Sequence, residues 1–153
     1  MIVEQDGTIR FEASTPMLHA RNFHDAVYHQ GEVISISTYE PAASRGTMER
    51  LDTLTQTQTQ LADRLPNNLY RVAAAVLGNK LLAIGGTYID VNGQRVDSDI
   101  VYELDEHASQ ADQGKWRAHE ARLNTARRRA AAVAFEGKTF VCGGHGAGYV
   151  RSV

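Results

Sequence analysis

The chain has 153 residues, of which 42% are hydrophobic, 22% charged and 7% aromatic, and this length and composition fit one globular domain. Sixteen Lys and Arg against eighteen Asp and Glu leave a formal charge of −2, which excludes recruitment to nucleic acid or to a membrane surface by bulk charge. The longest apolar stretches, 72–77 and 130–135, are far shorter than the roughly 20 residues that a membrane-spanning helix needs.

The first residues of the chain, 1–6, contain Glu4 and Asp6 where a secretory signal has a basic and then an apolar region. Cys142 is the only cysteine, so neither an intrachain disulfide nor a cysteine-based zinc cage can form. A lone cysteine is compatible with a reducing compartment. We therefore expect a cytoplasmic protein.

The first predicted element is a hairpin over 23–38, which is one of three copies of a repeat. Segments 71–86 and 129–144 align without a gap, from an initial Arg to a final Gly-Gly. Segment 23–38 is a more degraded copy, with Ser37 and Thr38 where the others have the two glycines. Repeats at such spacings are typical of folds in which neighbouring units stack.

Each copy predicts two strands joined by a tight turn. The turns are predicted at Gly31, Gly78-Asn79 and Glu136-Gly137. We expect strands over Arg71 to Leu77 and over Arg129 to Phe135, each paired with the strand that ends in Gly-Gly. Two strands cannot bury a face alone, so neighbouring copies must pack together.

The segment that follows the second copy predicts two more strands. The polar stretch 87–98 holds an Asn92-Gly93 turn, and 99–105 alternates as a third strand. Residues 106–115 read as a polar loop, after which Trp116 anchors a short fourth strand. The corresponding part of the first copy, Thr55 to Gln60, alternates Thr and Gln with no apolar face, which favours an exposed outer strand or a loop.

These residues resemble the kelch repeat, in which a strand of small residues, a turn and a strand closing with Gly-Gly are followed by a Tyr-containing strand and a Trp. The second copy matches best, with Gly85-Gly86, Tyr102 and Trp116. The third copy keeps Gly143-Gly144, whereas the first lacks both glycines and the Tyr and Trp pair. The resemblance implies the blades of a β-propeller.

The predicted fold is therefore all-β, a single partial kelch-type β-propeller with about three blades. Its repeats are predicted at 16–64, 65–121 and 122–153, and 1–15 resembles the end of a further blade. Propellers need about 4–8 blades to close a ring. Three blades predict either a fragment of a longer chain or half of a six-bladed ring. In that homodimer, the N-terminal strands of one subunit would complete the last blade of the other.

The stretch 117–135 carries a conflicting signal, because it is rich in good helix formers. We nevertheless predict a strand near its end. Residues 130–133 align with 72–75, and strands crowded near a propeller axis favour small residues. A helix across 126–135 would contradict the repeat.

No catalytic, metal or cofactor site is predicted. Gly85-Gly86 and Gly143-Gly144 lack a nucleotide-binding fingerprint, and they favour strand ends with unusual dihedral angles or close packing between blades. The six histidines form no metal-binding motif. Cys142 lies in an apolar run, which predicts a buried, inert thiol.

Four arginines are the candidate binding residues, because they recur at matching positions of the repeat. Arg127 matches Arg21, and Arg129 matches Arg71. In kelch domains that bind acidic peptides, arginines near the mouth of the central channel bind carboxylates, and the resemblance implies the same role here. A guanidinium suits it because its planar fork makes bidentate contacts.

Two further residues, Tyr88 and His145, follow the two Gly-Gly pairs and are expected to contribute from loops at the same end. Ordinary surface charge is the competing interpretation of the arginines.

Two functional hypotheses follow. The first is a protein-interaction module, without chemistry of its own, that presents loops to a protein or an acidic peptide. The alternative is a kelch-like carbohydrate-active enzyme, such as a sialic-acid mutarotase or a fragment of a sugar oxidase. A propeller is a scaffold whose activity is set by its loops, so the fold does not decide between them.

Overall fold

The computed structural model describes residues 2–3, 9–10, 13–62, 64–105 and 115–149. Within these ranges the strands are β1 (Ile2–Val3), β2 (Ile9–Arg10), β3 (Asp25–His29), β4 (Glu32–Ile36), β5 (Met48–Asp52), β6 (Gln58–Gln60), β7 (Ala73–Leu77), β8 (Lys80–Ile84), β9 (Thr87–Ile89), β10 (Arg95–Asp97), β11 (Ile100–Asp105), β12 (Trp116–Arg122), β13 (Ala131–Phe135) and β14 (Lys138–Cys142). Short 3₁₀ turns lie at Ala42–Ser44 and Pro66–Asn68. No helix in the described residues has the length and apolar character to cross a membrane.

The strands form antiparallel sheets that follow the order of the repeats. Blade 1 is the sheet β3-β4-β5-β6, and blade 2 is the sheet β7-β8-β11-β12. The third copy of the repeat forms the pair β13–β14, which we call hairpin 3. Two further pairs, β1–β2 and β9–β10, stand outside these sheets. The prediction of an all-β fold is confirmed.

The inner strands β3, β7 and β13 lie side by side, with β7 in contact with both of the others. Blades 1 and 2 enclose the larger core, and blade 2 and hairpin 3 enclose a smaller one. The larger core includes Ile34, Ile36, Met48, Leu81, Ala83, Tyr102 and Leu104. The smaller is built from Ala73, Ala75, Leu82 and Ile84 of blade 2, against Ala132, Ala134 and Val141. Small alanines permit the close approach of the inner strands.

The strand prediction for the ambiguous stretch 117–135 is confirmed, since β12 and β13 occupy most of it. The inner strands begin two residues later than expected, however. Arg71 and Arg129 have φ of 57° and 54°, and this left-handed conformation cannot continue a strand. The turn at Glu136-Gly137 has positive φ at both residues, as a two-residue hairpin requires.

The polar stretch 87–98 contains two strands that sequence reasoning missed. Strands β9 and β10 pair across the predicted Asn92-Gly93 turn. At the end of blade 1, the exposed outer-strand interpretation of Thr55 to Gln60 agrees with β6. Most of the predicted loop 106–115 and of the segment 1–11, Phe11 included, lies outside the described residues.

The expectation of a buried thiol at Cys142 is wrong, because the side chain is exposed. It lies on the outer face of hairpin 3 with Val133, Phe135 and Phe140, which are all exposed as well. The opposite face of this hairpin packs on blade 2. Within the described residues, no sheet covers the outer face, so an apolar sequence does not produce burial there.

Gly85 and Ser37 occupy the same position of the repeat, and each lies at the junction with the next copy. Gly85 has φ of 64°, and an added Cβ would lie 2.4 Å from the carbonyl oxygen of Arg127. Ser37, at the matching position, has φ of 66°. Its hydroxyl donates a hydrogen bond of 2.8 Å to the carbonyl of Leu69, the residue that matches Arg127. The degraded copy thus replaces a close backbone approach with a buried side-chain hydrogen bond.

We predict that Ser37→Ala lowers the free energy of unfolding by about 1 kcal/mol, because a buried hydrogen bond between blades 1 and 2 is lost. Chemical denaturation of the variant measures this difference. The control is Ser14→Ala, which removes an exposed hydrogen bond to Gln56 and is expected to change stability by less than about 0.5 kcal/mol. Equal effects of the two substitutions would contradict the role given to Ser37.

Candidate functional site

Three matching residues of the repeat meet where the inner strands begin. Phe23, Arg71 and Arg129 have φ of 51°, 57° and 54°, so the backbone changes direction at each of them, just before the inner strand begins. The guanidinium carbons of Arg71 and Arg129 lie 4.9 and 4.3 Å from the centroid of the Phe23 ring. The Arg129 amide donates a hydrogen bond of 2.9 Å to the Arg71 carbonyl. Two cations therefore share one aromatic ring.

Two tyrosines extend this arrangement on the side of blade 1. The Arg71 guanidinium lies 4.5 Å from the Tyr39 ring centroid and 5.4 Å from that of Tyr70. The two tyrosine rings are 5.2 Å apart. We call the following five residues the arginine–aromatic cluster: Phe23, Tyr39, Tyr70, Arg71 and Arg129.

The cluster places two guanidinium groups close together. Arg71 is only 7% exposed, and its Nε has no hydrogen-bond partner. Burial, followed by the nearby Arg129 charge, lowers the pKa of the Arg71 guanidinium. Among the described residues, neither arginine forms an ion pair with an acid, in contrast to the ion-paired Arg128 beside them. The arrangement is therefore suited to receive an anion.

A cavity of about 350 Å³ opens beside the cluster. Its lining includes His24, Asp25 and three consecutive alanines, 130–132. Both Asp25 oxygens accept backbone N–H groups, from Ala26 at 2.9 Å and from Ala74 at 2.8 Å, so this carboxylate links blades 1 and 2. Burial and the Arg21 charge lower the pKa of His24, which is therefore mostly neutral at pH 7. Arg71 and Arg129 line the same cavity as the Asp25 carboxylate.

The structure places Arg21 and Arg127, two of the predicted binding residues, in hydrogen bonds to strand ends. The Arg21 guanidinium is fully buried, 2.9 Å from the Glu49 carboxylate, and donates to the carbonyl of Ser37 at 3.0 Å. Arg127 donates to the matching carbonyl, that of Gly143, at 3.2 Å. What the two arginines share is therefore a structural hydrogen bond to the end of the second strand. Over the described residues, the guanidinium groups found on the Phe23 ring are those of Arg71 and Arg129.

Tyr88 and His145 make contacts outside the arginine–aromatic cluster. Tyr88 is in β9 and packs against the core between blades 1 and 2. His145 exchanges two backbone hydrogen bonds of 2.9 Å with Arg128, and its ring lies 5.2 Å from that of Tyr149. No ring contact or ion pair joins Tyr88 or His145 to the cluster in the described part of the chain.

The motif residues of the second repeat have structural positions. Tyr102 is buried in the core between blades 1 and 2, where burial raises the pKa of its hydroxyl, and Trp116 packs against the same core. Gly86 and Gly144 have φ of 92° and 96°, and a Cβ on Gly144 would lie 2.8 Å from the Arg128 carbonyl.

Sequence reasoning missed the aromatic half of the cluster. The repeat alignment already placed Phe23 at the position of Arg71 and Arg129, so an aromatic residue beside the two arginines could have been predicted from the sequence. Tyr39 and Tyr70 carried no such signal, because they lie outside the matching positions that drew attention. Among the described residues, no group of three His, Cys, Asp or Glu side chains could hold a metal ion.

No family model matches the chain, and no curated protein matches it. Among solved structures, the chain is similar to YjhT, a β-propeller protein, with a TM-score of 0.72 and 15% sequence identity. The fold is of the β-propeller type. The similarity covers 87% of this chain and 37% of the YjhT chain. At this identity it shows the fold alone. In the part of the chain that the structure describes, the blades form no closed ring.

Proposed function

We propose that this chain is a kelch-type protein-interaction module that binds a carboxylate of an acidic peptide through Arg71 and Arg129. The observation that supports this proposal is two guanidinium groups on one aromatic ring with no acidic partner among the described residues. Two neighbouring cations destabilise each other, and a bound anion relieves that repulsion. Arg71 is already withdrawn from water, so its contact with a carboxylate is strengthened.

The aromatic rings would position the guanidinium groups for such a ligand. Stacking on Phe23 and Tyr39 limits the rotation of the planar fork of Arg71, so less side-chain entropy is lost when the ligand binds. Phe23 is 49% exposed and offers an apolar surface beside the charges. An extended peptide that carries an acid next to an apolar side chain fits both features.

A carboxylated sugar such as sialic acid is the second candidate ligand. The cavity beside the cluster, at about 350 Å³, lies within the size range of small-molecule sites. A single carboxylate on a compact ring would engage the two arginines without using the surface beyond the cavity. This ligand would favour the carbohydrate-active alternative.

We predict that Arg71→Lys and Arg129→Lys each weaken binding of an acidic peptide by about 10-fold or more, because Lys keeps the charge but loses the planar fork. Fluorescence anisotropy with a labelled peptide measures the affinity. Arg122→Lys is the matched control, because Arg122 is an exposed arginine paired with Asp99 outside the cluster. Circular dichroism checks that each variant is folded.

The ligand class is decided by comparing three probes at two salt concentrations: the acidic peptide, its Gln/Asn counterpart and sialic acid. The proposal predicts binding of the acidic peptide alone, with an affinity that falls as salt rises. Binding of sialic acid, lost in Arg71→Lys, would favour the second candidate. Unchanged affinity in both cluster variants would contradict a role for the arginines with either ligand.

A further inference from the structure

The β9–β10 hairpin is fixed beside both arginines of the arginine–aromatic cluster. Strand β9 exchanges two backbone hydrogen bonds, of 2.8 and 2.9 Å, with Tyr70. Strand β10 carries Asp97, whose carboxylate forms an ion pair with Arg128. Tyr70 precedes Arg71 in the chain, and Arg128 precedes Arg129. The base of the hairpin is therefore held on both sides by segments that carry the cluster.

A third arginine, Arg95, lies further along β10 on the same face as Asp97. Asp97 is opposite Thr87, and Arg95 is opposite Ile89. Because alternate residues of a strand point to the same face, Arg95 lies on the face from which Asp97 contacts Arg128. Two residues of a strand span about 7 Å, so Arg95 stands about that far beyond the base of the hairpin. Arg95 is exposed to solvent.

The charge of Arg95 reaches the cluster. Burial is the main cause that lowers the pKa of the Arg71 guanidinium, followed by the Arg129 charge, and the Arg95 charge acts in the same direction. Like charges that are held near one another are mutually destabilising, and a bound anion relieves their repulsion. An acidic ligand therefore gains from contact with all three arginines.

The acids of the hairpin and of the cavity have other partners than Arg95. Asp97 is held by the ion pair at the base of the hairpin. Asp90 accepts two backbone N–H groups of the hairpin turn, at 2.9 and 2.7 Å. Both oxygens of Asp25, which lines the cavity, accept backbone N–H groups. In the described part of the chain, Arg95 forms no ion pair with an acid, so a ligand can supply its counter-charge.

We propose that the ligand of the arginine–aromatic cluster is an extended peptide with two acidic side chains, one bound by Arg71 and Arg129 and the other by Arg95. This inference rests on the proposed function and adds the requirement for a second acid. In an extended peptide, side chains two residues apart point to the same side and are about 7 Å apart. Arg95 stands about as far beyond the base of the hairpin, so the second acid is expected two residues from the first. Arg95 thereby distinguishes a peptide with this spacing from one with a single acid.

The test compares labelled peptides of one length by fluorescence anisotropy. One peptide has a single central acid, two have a second acid two residues before or after it, and one has a second acid next to it. One of the spaced peptides should bind about 3-fold to 5-fold more tightly than the single-acid peptide, a gain in the range of an exposed ion pair. The peptide with adjacent acids has the same net charge, but its second acid points away from Arg95, so its gain should be smaller. Arg95→Gln should remove the gain of the spaced peptide.

The matched control is Arg122→Gln, which changes an exposed arginine paired with Asp99 outside the cluster and should keep the gain. Circular dichroism checks that both variants are folded. A gain that survives in Arg95→Gln, or an equal gain from adjacent acids, would overturn this inference. The proposed function would be retained in that case as long as Arg71→Lys weakens binding of the single-acid peptide. If none of the peptides binds to the wild-type chain, both are overturned.

Discussion

Replacing Glu49 by Gln is expected to lower the free energy of unfolding by about 3–5 kcal/mol, because it leaves a buried arginine without its counter-charge. The side chains of Glu49 and Arg21 are both fully buried, 2.9 Å apart. The other Glu49 oxygen accepts the backbone N–H of Leu18 at 2.9 Å, and His19 bonds to the first. The Glu49 carboxylate therefore connects the segment that precedes blade 1 to the beginning of β5.

The same residue gives the stability a defined pH dependence. Desolvation raises the pKa of Glu49, but the hydrogen bonds of His19 and Arg21 and the Arg21 charge outweigh it, so the pKa lies below its usual 4.5. A lowered pKa in the folded state means that the stabilisation is present above the unfolded-state value and is lost as the pH falls through the folded value. The loss is therefore expected below about pH 4.5, and Glu49→Gln should lack that component.

Urea denaturation of both proteins at neutral and acidic pH measures the two effects. The matched control is Glu32→Gln, which breaks a partly exposed ion pair with Arg50 and should cost less than about 1 kcal/mol. If the Glu49 and Glu32 variants lost equal stability, the buried pair would not have the importance given to it here.

Gly85→Ala is expected to cost about 3 kcal/mol or more, because it combines backbone strain with a steric clash. The added Cβ would lie 2.4 Å from the carbonyl oxygen of Arg127, and both groups are backbone-anchored. The Gly86 amide donates a hydrogen bond of 2.8 Å to the same carbonyl. A shift of this carbonyl that relieved the clash would therefore disturb the junction between blade 2 and hairpin 3.

Gly78→Ala separates these two causes. Gly78 has φ of 63°, close to the 64° of Gly85, but nothing lies within 4 Å of its added Cβ. The turn variant should therefore show the backbone strain alone, about 1 kcal/mol. Thermal or chemical unfolding compares the variants, and a Gly85 variant no less stable than the Gly78 variant would show that the close approach does not limit stability.

Much of the fold was predictable because repetition is visible in the residues themselves. The alignment of 71–86 with 129–144 predicted the hairpins, and it was a stronger signal than the helix propensity of the alanines in β13. The turn glycines are recognisable locally, since they permit positive φ. Burial was harder to predict, because it depends on a neighbouring sheet. Cys142 and Phe140 have apolar neighbours in sequence, yet lie on an uncovered face.

The candidate site was only partly predictable for a related reason. Matching positions in a repeat indicate that residues share a structural environment, without saying whether that environment is a ligand site or a core. Arg21 and Arg127 share a hydrogen bond to a strand end, whereas Arg71 and Arg129 share a ring. Arg21 forms a buried ion pair with Glu49, which lies on another strand. The matching position of blade 2 is occupied by Tyr102, which cannot form such a pair.

The proposed function is tested most directly by NMR of the arginine side chains. The Nε–Hε signals of Arg71 and Arg129 are followed while an unlabelled acidic peptide is added, with Arg122 as an internal reference outside the cluster. The account predicts that both cluster signals move together and saturate at the same peptide concentration, and that the Gln/Asn peptide moves neither. Binding of the acidic peptide with both signals unmoved would contradict it.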